Sequence, residues 1–174
     1  MKHTDGHRML DSTQDFTRRL RDAFGCFPSG VTVVTLRDGE GRPTGITVNS
    51  FSSLSLDPPL LLFSVGRQQV SCRWFEAQDA FTVNVLANDQ EHLAWQFAKP
   101  LKDKFDGVDW RTGANGTPVI EGALASFECR KWSIMEGGDH KIVVGRITDF
   151  AAQDGDALMF FRGAMLDMTR DPAA

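Results

Sequence analysis

From residue 31 onward the chain is a series of short β-rich segments separated by turn residues. The segments are residues 31–36, 45–51, 60–65, 81–86, 123–134, 141–150 and 157–161. Helical patterns are few, and the regular alternation of strand and helix that builds a doubly wound parallel sheet is missing. Six or seven strands at short spacing therefore predict a mainly β protein, an antiparallel barrel with a few flanking helices.

Three segments give expectations about burial. An apolar stripe at helical spacing comprises Phe16, Leu20, Ala23, Phe24 and Phe27. It predicts a helix that faces the core, with a capping box over residues 12–15 and a stop at Gly25. Residues 60–65 are nearly all apolar, as in a strand buried on both faces. Residues 101–118 read as a long irregular loop, which is uncommon unless it is functional.

The composition excludes several classes of protein. With 174 residues, we expect a disordered tail at 1–11 and one domain over 12–170. A net charge of −4 argues against a nucleic-acid surface, and no apolar run approaches the roughly 20 residues of a membrane span. The odd, widely spaced cysteines Cys26, Cys72 and Cys129 predict reduced core thiols in a cytoplasmic protein.

Hydroxyl and amide side chains are concentrated just before a double proline. The polar residues are Thr47, Asn49, Ser50, Ser52, Ser53 and Ser55. A structural strand would alternate apolar and polar residues more cleanly. Small neutral donors at a strand end can surround a phosphate or a flat heterocycle. The same composition also suits a polar turn, and the residues alone leave both readings open.

Three further segments have the composition of a binding site, although each also has a structural explanation. Pro28-Ser29-Gly30 offers main-chain N–H groups and room for a ligand, or makes an ordinary helix-to-strand turn. Lysines within residues 90–110 could meet an anion or simply be solvated. Gly137-Gly138-Asp139-His140 joins two strands, and Asp139 is placed to orient His140, which could equally be an ordinary surface histidine.

Motifs for several other reaction classes are missing. Gly39, Gly41 and Gly45 are spaced wrongly for a dinucleotide fingerprint, and they precede a strand rather than a helix. The sequence has neither a P-loop nor a Gly-x-Ser-x-Gly nucleophile turn. Zinc-type spacings are absent too, so no metal site is predicted. A hydrolase or a metalloenzyme would have to be assembled from scattered residues.

Taken in order, these segments resemble the short-chain flavin reductase family, the reductase components of two-component flavin monooxygenases. The matching stretches are residues 27–35, 45–53, 55–60, 81–86, 97–98, 103–105, 122–125 and 138–145, with Gln90 and Cys129. The resemblance covers about residues 16–165 and implies an FMN-binding split-barrel fold. This chain departs from the pattern at 157–165, where relatives usually carry a proline and tyrosines, and at Ser29, where threonine is commoner.

The resemblance implies that NADH or NADPH reduces FMN or FAD, and that the reduced flavin leaves to serve a flavin-dependent oxygenase component. Hydride would pass from the nicotinamide to flavin N5, while the protein supplies stacking and orientation. The implied cofactor-binding residues are Pro28, Ser29, Gly30, Thr47, Val48, Asn49, Ser50, Ser53, Ser55, Phe97, Lys104, Gly138 and Asp139. The implied catalytic residue is His140, near which the nicotinamide stacks. Such proteins are usually homodimers, so a homodimer is expected.

Two other functions remain open at this stage. A split barrel could bind a flavin without reductase turnover, although the Gly-Asp-His segment counts against this alternative. A related split-barrel oxidase acting on a phosphorylated pyridoxal-type vitamer would need a basic phosphate pocket, and the sequence shows no arginine cluster for one. Reduction of free flavin is therefore the leading hypothesis.

Overall fold

The computed structural model describes residues 13–168, and the expected tail and the Ser12 cap lie outside that range. In chain order the elements are α1 (Thr13–Phe24), β1 (Ser29–Gly30), β2 (Thr32–Arg37), β3 (Pro43–Val48), β4 (Ser52–Leu56), β5 (Pro59–Gly66), α2 (Val70–Ala77), β6 (Ala80–Val85), α3 (Glu91–Ala98), β7 (Trp110–Thr112), β8 (Pro118–Ile120), β9 (Ala125–Gly137), β10 (His140–Ala152), β11 (Ala157–Phe161) and β12 (Ala164–Met168). The domain limits expected from the sequence stay a prediction.

The main sheet has seven antiparallel strands in the order β3-β2-β6-β9-β10-β5-β4. This confirms the predicted mainly β, seven-stranded antiparallel architecture with a few helices. The long hairpin of β9 and β10 occupies the middle of the sheet and contains two register shifts. Strands β3 and β4 are its two edges, and an edge strand presents unpaired main-chain N–H and C=O groups.

Two smaller sheets complete the strand structure. β1, β11 and β12 form a three-stranded sheet, in which Ser29 pairs with Phe160 and Gly30 with Met159. β7 and β8 form a hairpin that begins inside the stretch 101–118 predicted to be irregular, so that prediction is wrong for residues 110–112 and for Pro118. The predicted set of strands also omitted β1, β4 and β12. The residues of β1 read as a helix-to-strand turn, and the serines of β4 read as a polar turn.

Two hydrophobic clusters fill the interior. In the first, the rings of Phe63, Phe75 and Phe81 meet edge to face, which packs α2 against the main sheet. In the second, Phe97 of α3 meets Phe105 edge to face with centroids 5.0 Å apart. The second cluster fixes α3 and the loop after it beside β3, because both aromatic rings are buried.

The structure corrects three expectations about burial. The apolar stripe of α1 does not face the core, because Phe16 and Phe24 are 60% and 70% exposed and Phe27, after the helix, is 78% exposed. Strand β5 alternates buried and half-buried residues, so it is fully covered on one face only. All three cysteines are free, but Cys26 is exposed, while burial raises the pKa of Cys129 to about 12.

A buried amide joins three strands behind the main sheet. The Asn84 side chain of β6 donates to the main-chain oxygen of Val33 at 3.0 Å and to Thr35 Oγ1 at 3.1 Å. Its oxygen accepts from the Ile120 N–H at 2.9 Å. Because every polar atom of this buried amide has a partner, Asn84 connects β2, β6 and β8 without an unsatisfied group.

Candidate functional site

A groove of about 770 Å³ runs along the free edge of β3. Its floor is formed by Thr44, Ile46 and Thr47 of that strand. One wall is α2 with the residues just before it, and the opposite wall is the loop 98–104 that follows α3. The groove therefore lies at the split of the sheet, where the main-chain groups of an edge strand are available to a ligand.

Lys104 joins the loop wall to the floor of this groove. Its ammonium group donates to the main-chain oxygen of Gly45 at 3.0 Å and to that of Phe97 at 2.7 Å. Burial lowers the pKa of this lysine, because the charged form loses solvation. Thr47 adds a second connection, since its Oγ1 donates to the Ala94 main-chain oxygen at 2.6 Å.

The wall formed by α2 presents the start of a helix to the groove. Gln69, the residue before the helix, makes no side-chain hydrogen bond to the first turn, and Ser71 in that turn also lines the groove. The opposite loop brings Lys99 and Lys102 to the same space. Main-chain N–H groups at a helix start and nearby lysines favour an anion such as phosphate.

A charged turn closes one end of the groove. The Asp38 carboxylate accepts the main-chain N–H groups of Glu40 and Arg42, both at 2.9 Å, and the Arg42 guanidinium at 2.8 Å. Burial raises the pKa of Asp38, but the hydrogen bonds from Arg42 and Glu40 outweigh burial and hold that pKa below its ordinary value. Arg42, whose side chain is 60% exposed, is thus paired with Asp38 at the groove.

The Gly-Asp-His turn lies beside the residues that lead into α2. His140 Nδ1 contacts Asp139 Oδ1 at 2.7 Å, so Asp139 orients the ring as predicted, and this hydrogen bond lowers the pKa of Asp139. The Arg67 N–H donates to the Asp139 main-chain oxygen at 3.0 Å. A methyl group on Gly66 would lie 3.6 Å from the Gln69 side chain and 3.8 Å from His140 Nε2. His140 and Gln69 are therefore neighbours.

The structure brings some of the sequence-predicted residues together and separates others. Thr47, Phe97 and Lys104 line the groove. Asn49 lines a different cavity of about 660 Å³, with Phe27, Phe160 and Arg162 among its other lining residues. The side chain of Val48 is buried in the first hydrophobic cluster, so only its main chain is available to a ligand.

Four further predicted residues line neither of these two cavities. Ser50 exchanges hydrogen bonds with the main chain of Ser64, which fixes the turn after β3. Ser53 and Ser55 lie on β4, at the opposite edge of the main sheet, and line neither cavity. Gly138, with a φ of 75°, forms the tip of the β9–β10 turn, where a left-handed backbone favours glycine.

Pro28, Ser29 and Gly30 precede β2, and Ser29 and Gly30 form β1 itself. Ser29 Oγ is buried and has no hydrogen-bond partner among the described residues. A buried hydroxyl without a partner is unfavourable in the protein alone and is satisfied when a ligand supplies one. Ser29 pairs with Phe160, which lines the cavity of about 660 Å³, and a neutral hydroxyl fits the polar edge of a flavin, which carries carbonyl oxygens and ring nitrogens.

Sequence reasoning did not identify the groove residues of α2 and of the β2–β3 turn. Gln69, Ser71 and Trp74 belong to a short helix that reads as ordinary, and Arg42 belongs to a hairpin turn. The one available signal was the absence of a capping side chain before α2. In residues 13–168, no group of three or more metal-ligating side chains occurs, and no helix is long and apolar enough to span a membrane.

An open antiparallel sheet with a groove along its split defines a class of flavin-binding barrels, and a solved structure supports this assignment. The Streptomyces globisporus NADH:FAD oxidoreductase SgcE6, solved with NAD and FAD fragments, matches with a TM-score of 0.86 at 39% identity. The match covers 94% of this chain and 98% of that one. The fold is therefore the split barrel, as the resemblance implied.

Residues 24–169 match the family described as flavin reductase like domain, and the chain belongs to that family. The stachydrine N-demethylase reductase subunit Stc3 of Rhizobium meliloti is 44% identical over 146 residues, 84% of this chain and 64% of that protein. The FMN reductase (NADH) SmoA of Agrobacterium fabrum is 45% identical over 148 residues, 85% of this chain and 84% of that one. The chain spans only 47% of the length of some other curated relatives.

Proposed function

We propose that this protein reduces free flavin with NADH or NADPH and supplies the reduced flavin to a partner monooxygenase. The observation that carries the proposal is the groove at the edge of β3, which combines neutral main-chain donors, a helix start and lysines in a chain of the flavin reductase family. The names of two relatives support the two parts of this proposal. SmoA is an FMN reductase (NADH), which supports flavin reduction, and Stc3 is a demethylase reductase subunit, which supports delivery to a partner enzyme.

The proposed flavin-binding residues form two groups, one for the isoalloxazine ring and one for the flavin phosphate. Thr47 lines the groove near the end of β3, where the main-chain groups of the edge strand suit the isoalloxazine edge, while Asn49 and Ser50 lie just beyond the strand and outside the groove. Ser71 at the start of α2 and the lysines of the loop 98–104 suit the phosphate. Neutral donors bind without a strong fixed charge, which fits a flavin that must be released after each turnover.

Flavin and nicotinamide supply the hydride chemistry, and this chain contributes positioning. His140 is the residue proposed to contact the nicotinamide, because its turn lies beside Gln69 at the groove. Asp139 fixes the orientation of the imidazole. A ring held in this way can orient a planar ligand, and an ordered arrangement of the two reactants lowers the entropic part of the barrier.

His140→Ala is expected to slow hydride transfer by about tenfold or more, or to raise the KM for the nicotinamide nucleotide, with little change in flavin affinity. Stopped-flow reduction and flavin titration measure the two effects separately. His140→Gln is the matched variant, since its amide can still meet Asp139. Because His140 is half exposed, neither change should alter the free energy of unfolding by more than about 0.5 kcal/mol. Equal kinetics for mutant and wild type would exclude the role.

We also propose a cytoplasmic homodimer. The stacked rings of Phe51, Phe127 and Phe150 end at Phe150, which is 69% exposed. Leu54 and Leu56 lie exposed on the edge strand β4. Apolar side chains on a sheet edge are usually covered by another surface, and a second copy of the chain is the proposed cover.

The three free thiols support a reducing compartment.

A steady-state assay tests the proposed function directly. Purified protein is mixed with NADH or NADPH and with FMN, FAD or riboflavin, and the loss of nicotinamide absorbance is followed. Oxidation that depends on added flavin supports the reductase. Flavin binding without oxidation of either nicotinamide nucleotide would contradict it and would favour the second candidate, a flavin-binding module.

A further inference from the structure

The hairpin that carries His140 is joined to α2 by four charged side chains. Lys141, the next residue of β10, forms an ion pair with Glu76 of α2, and its Nζ lies 3.7 Å from Oε1 of Glu136 on β9. Glu136 in turn pairs with Arg67, which precedes α2. These four side chains connect the approach to α2 and its last turn to the same hairpin.

The contact between Lys141 and Glu76 is the best protected of these ion pairs. Lys141 pairs in register with Val65 of β5, a buried residue of the first hydrophobic cluster, so its side chain extends over the sheet face that α2 covers. The Lys141 side chain is 19% exposed, against 44% for those of Arg67 and Glu76. Ion pairs at the surface contribute little because water and salt screen them, whereas a partly covered pair is screened less.

A second lysine of the same hairpin holds the end of α2. Lys131 of β9 donates from Nζ to the Glu76 main-chain oxygen at 2.7 Å and to that of Phe75 at 3.4 Å. A cation at the carbonyl end of a helix also interacts favourably with the helix dipole. Both strands of the hairpin therefore bind the last turn of α2, while the first turn of the same helix forms the groove wall.

This attachment joins the two elements that carry the proposed ligand contacts. α2 supplies Ser71 at the flavin groove, and the hairpin supplies His140 for the nicotinamide. Hydride transfer needs both rings in close contact, and a misplacement of about 1 Å can slow such a step by roughly a hundredfold. Successive strand residues point to opposite faces of a sheet, so Lys141 can hold α2 while His140 stays available to a ligand.

We propose that Lys141 and Glu76 are positioning residues for hydride transfer, which hold α2 and the His140 turn at the separation that the two bound ligands need. This inference rests on the proposed function, because it assigns a role to residues behind the two proposed ligand sites. Neither side chain lines the groove. Loss of the pair therefore leaves each ligand able to bind by itself and slows the step that needs both.

Lys141→Met tests this role, because it removes the charge and keeps an apolar stem. With flavin and NADH both saturating, stopped-flow reduction of the flavin should be slowed about fivefold or more. The Kd of flavin without nicotinamide nucleotide and the KM for NADH should each stay within about twofold. A purely structural role would instead weaken flavin binding along with the rate. Lys141→Arg keeps the charge and should retain about half of the rate or more.

Glu76→Gln tests the same pair from the helix, at an exposed position where the fold tolerates substitution. It should slow reduction about as much as Lys141→Met does. The double variant should be no slower than either single variant, because residues that act through one contact are not additive. Arg111→Met is the matched control, since it breaks an exposed ion pair with Glu121 away from the groove and should leave the rate unchanged.

Three results would overturn the inference. One is an unchanged rate of reduction in Lys141→Met, and another is a loss of rate that is matched by an equal loss of flavin affinity. The third is a double variant whose loss is the product of the two single losses. In each case flavin reduction by the wild type would still support the proposed function. A wild type that reduces no flavin would contradict the proposed function itself, and this inference with it.

Discussion

The two edge strands of the main sheet differ in how much of each is covered by the rest of the chain. The chain covers the β3 edge with its own elements, since α2 and the loop after α3 flank it and Lys104 bonds to a carbonyl of the strand. The β4 edge has no such cover among residues 13–168, and Leu56 on it is 96% exposed. This difference is the basis of the two proposals, a small-ligand site at the covered β3 edge and contact with a second copy at the uncovered β4 edge.

The largest effect is expected at the β4 edge. Leu56→Ser combined with Phe150→Ser should weaken association of two copies by about thirtyfold or more, because both exposed apolar groups are lost from the proposed interface. Light scattering coupled to gel filtration at several concentrations measures this. Leu166→Ser, on the separate three-stranded sheet, is the control. A wild-type protein that is monomeric at every concentration would contradict the proposal that a second copy covers the β4 edge.

A somewhat smaller effect is expected at the β3 edge. Lys104→Met removes the donor to two main-chain oxygens and should lower the free energy of unfolding by about 1–3 kcal/mol. It should also weaken flavin binding, since the loop wall loses its connection to the floor. Urea denaturation and flavin titration measure the two effects. Lys102→Met, at an exposed lysine in the same loop, should change the free energy of unfolding little, and an equal loss of stability in both variants would be inconsistent with this role of Lys104.

The smallest effect concerns the turn at the end of the β3 edge. The folded-state pKa of Asp38 lies below its value of 3.8 in an unfolded chain, so its ionised form stabilises the fold at neutral pH. That contribution is complete above 3.8 and is lost as the pH falls through the lower folded-state pKa. Urea unfolding of the wild type and of Asp38→Asn at a series of pH values through this range measures the contribution of Asp38. If the free energies of unfolding of the two proteins changed with pH in the same way, Asp38 would make no such contribution.

Much of the fold follows from local patterns, but burial does not. The spacing of Phe16, Leu20 and Phe24 predicts the helix α1 correctly, because periodicity is a local property. The same spacing predicted burial in the core, which is wrong, since a pattern shows that a helix has an apolar face without showing what covers that face. β4 was missed because its serines have the composition of a turn.

The residues of the candidate site were predictable only where they belong to a sequence motif of the family. Thr47, Phe97 and Lys104 were implied by the family resemblance, and the structure places them along one groove. Trp74 and Arg42 were not predicted, because their proximity depends on how α2 packs along β3, and sequence spacing holds no information about that packing. A site assembled from a helix, an edge strand and a loop becomes visible only after the tertiary structure is known.

The buried amide of Asn84 has a consequence for how the molecule opens. Since its side-chain hydrogen bonds connect its own strand β6 to β2 and to β8, none of these strands can separate without leaving a buried polar group unpaired. The three strands therefore form one cooperative unit. Their amide protons should exchange with solvent together and slowly, while those of the exposed β4 edge exchange through local fluctuations.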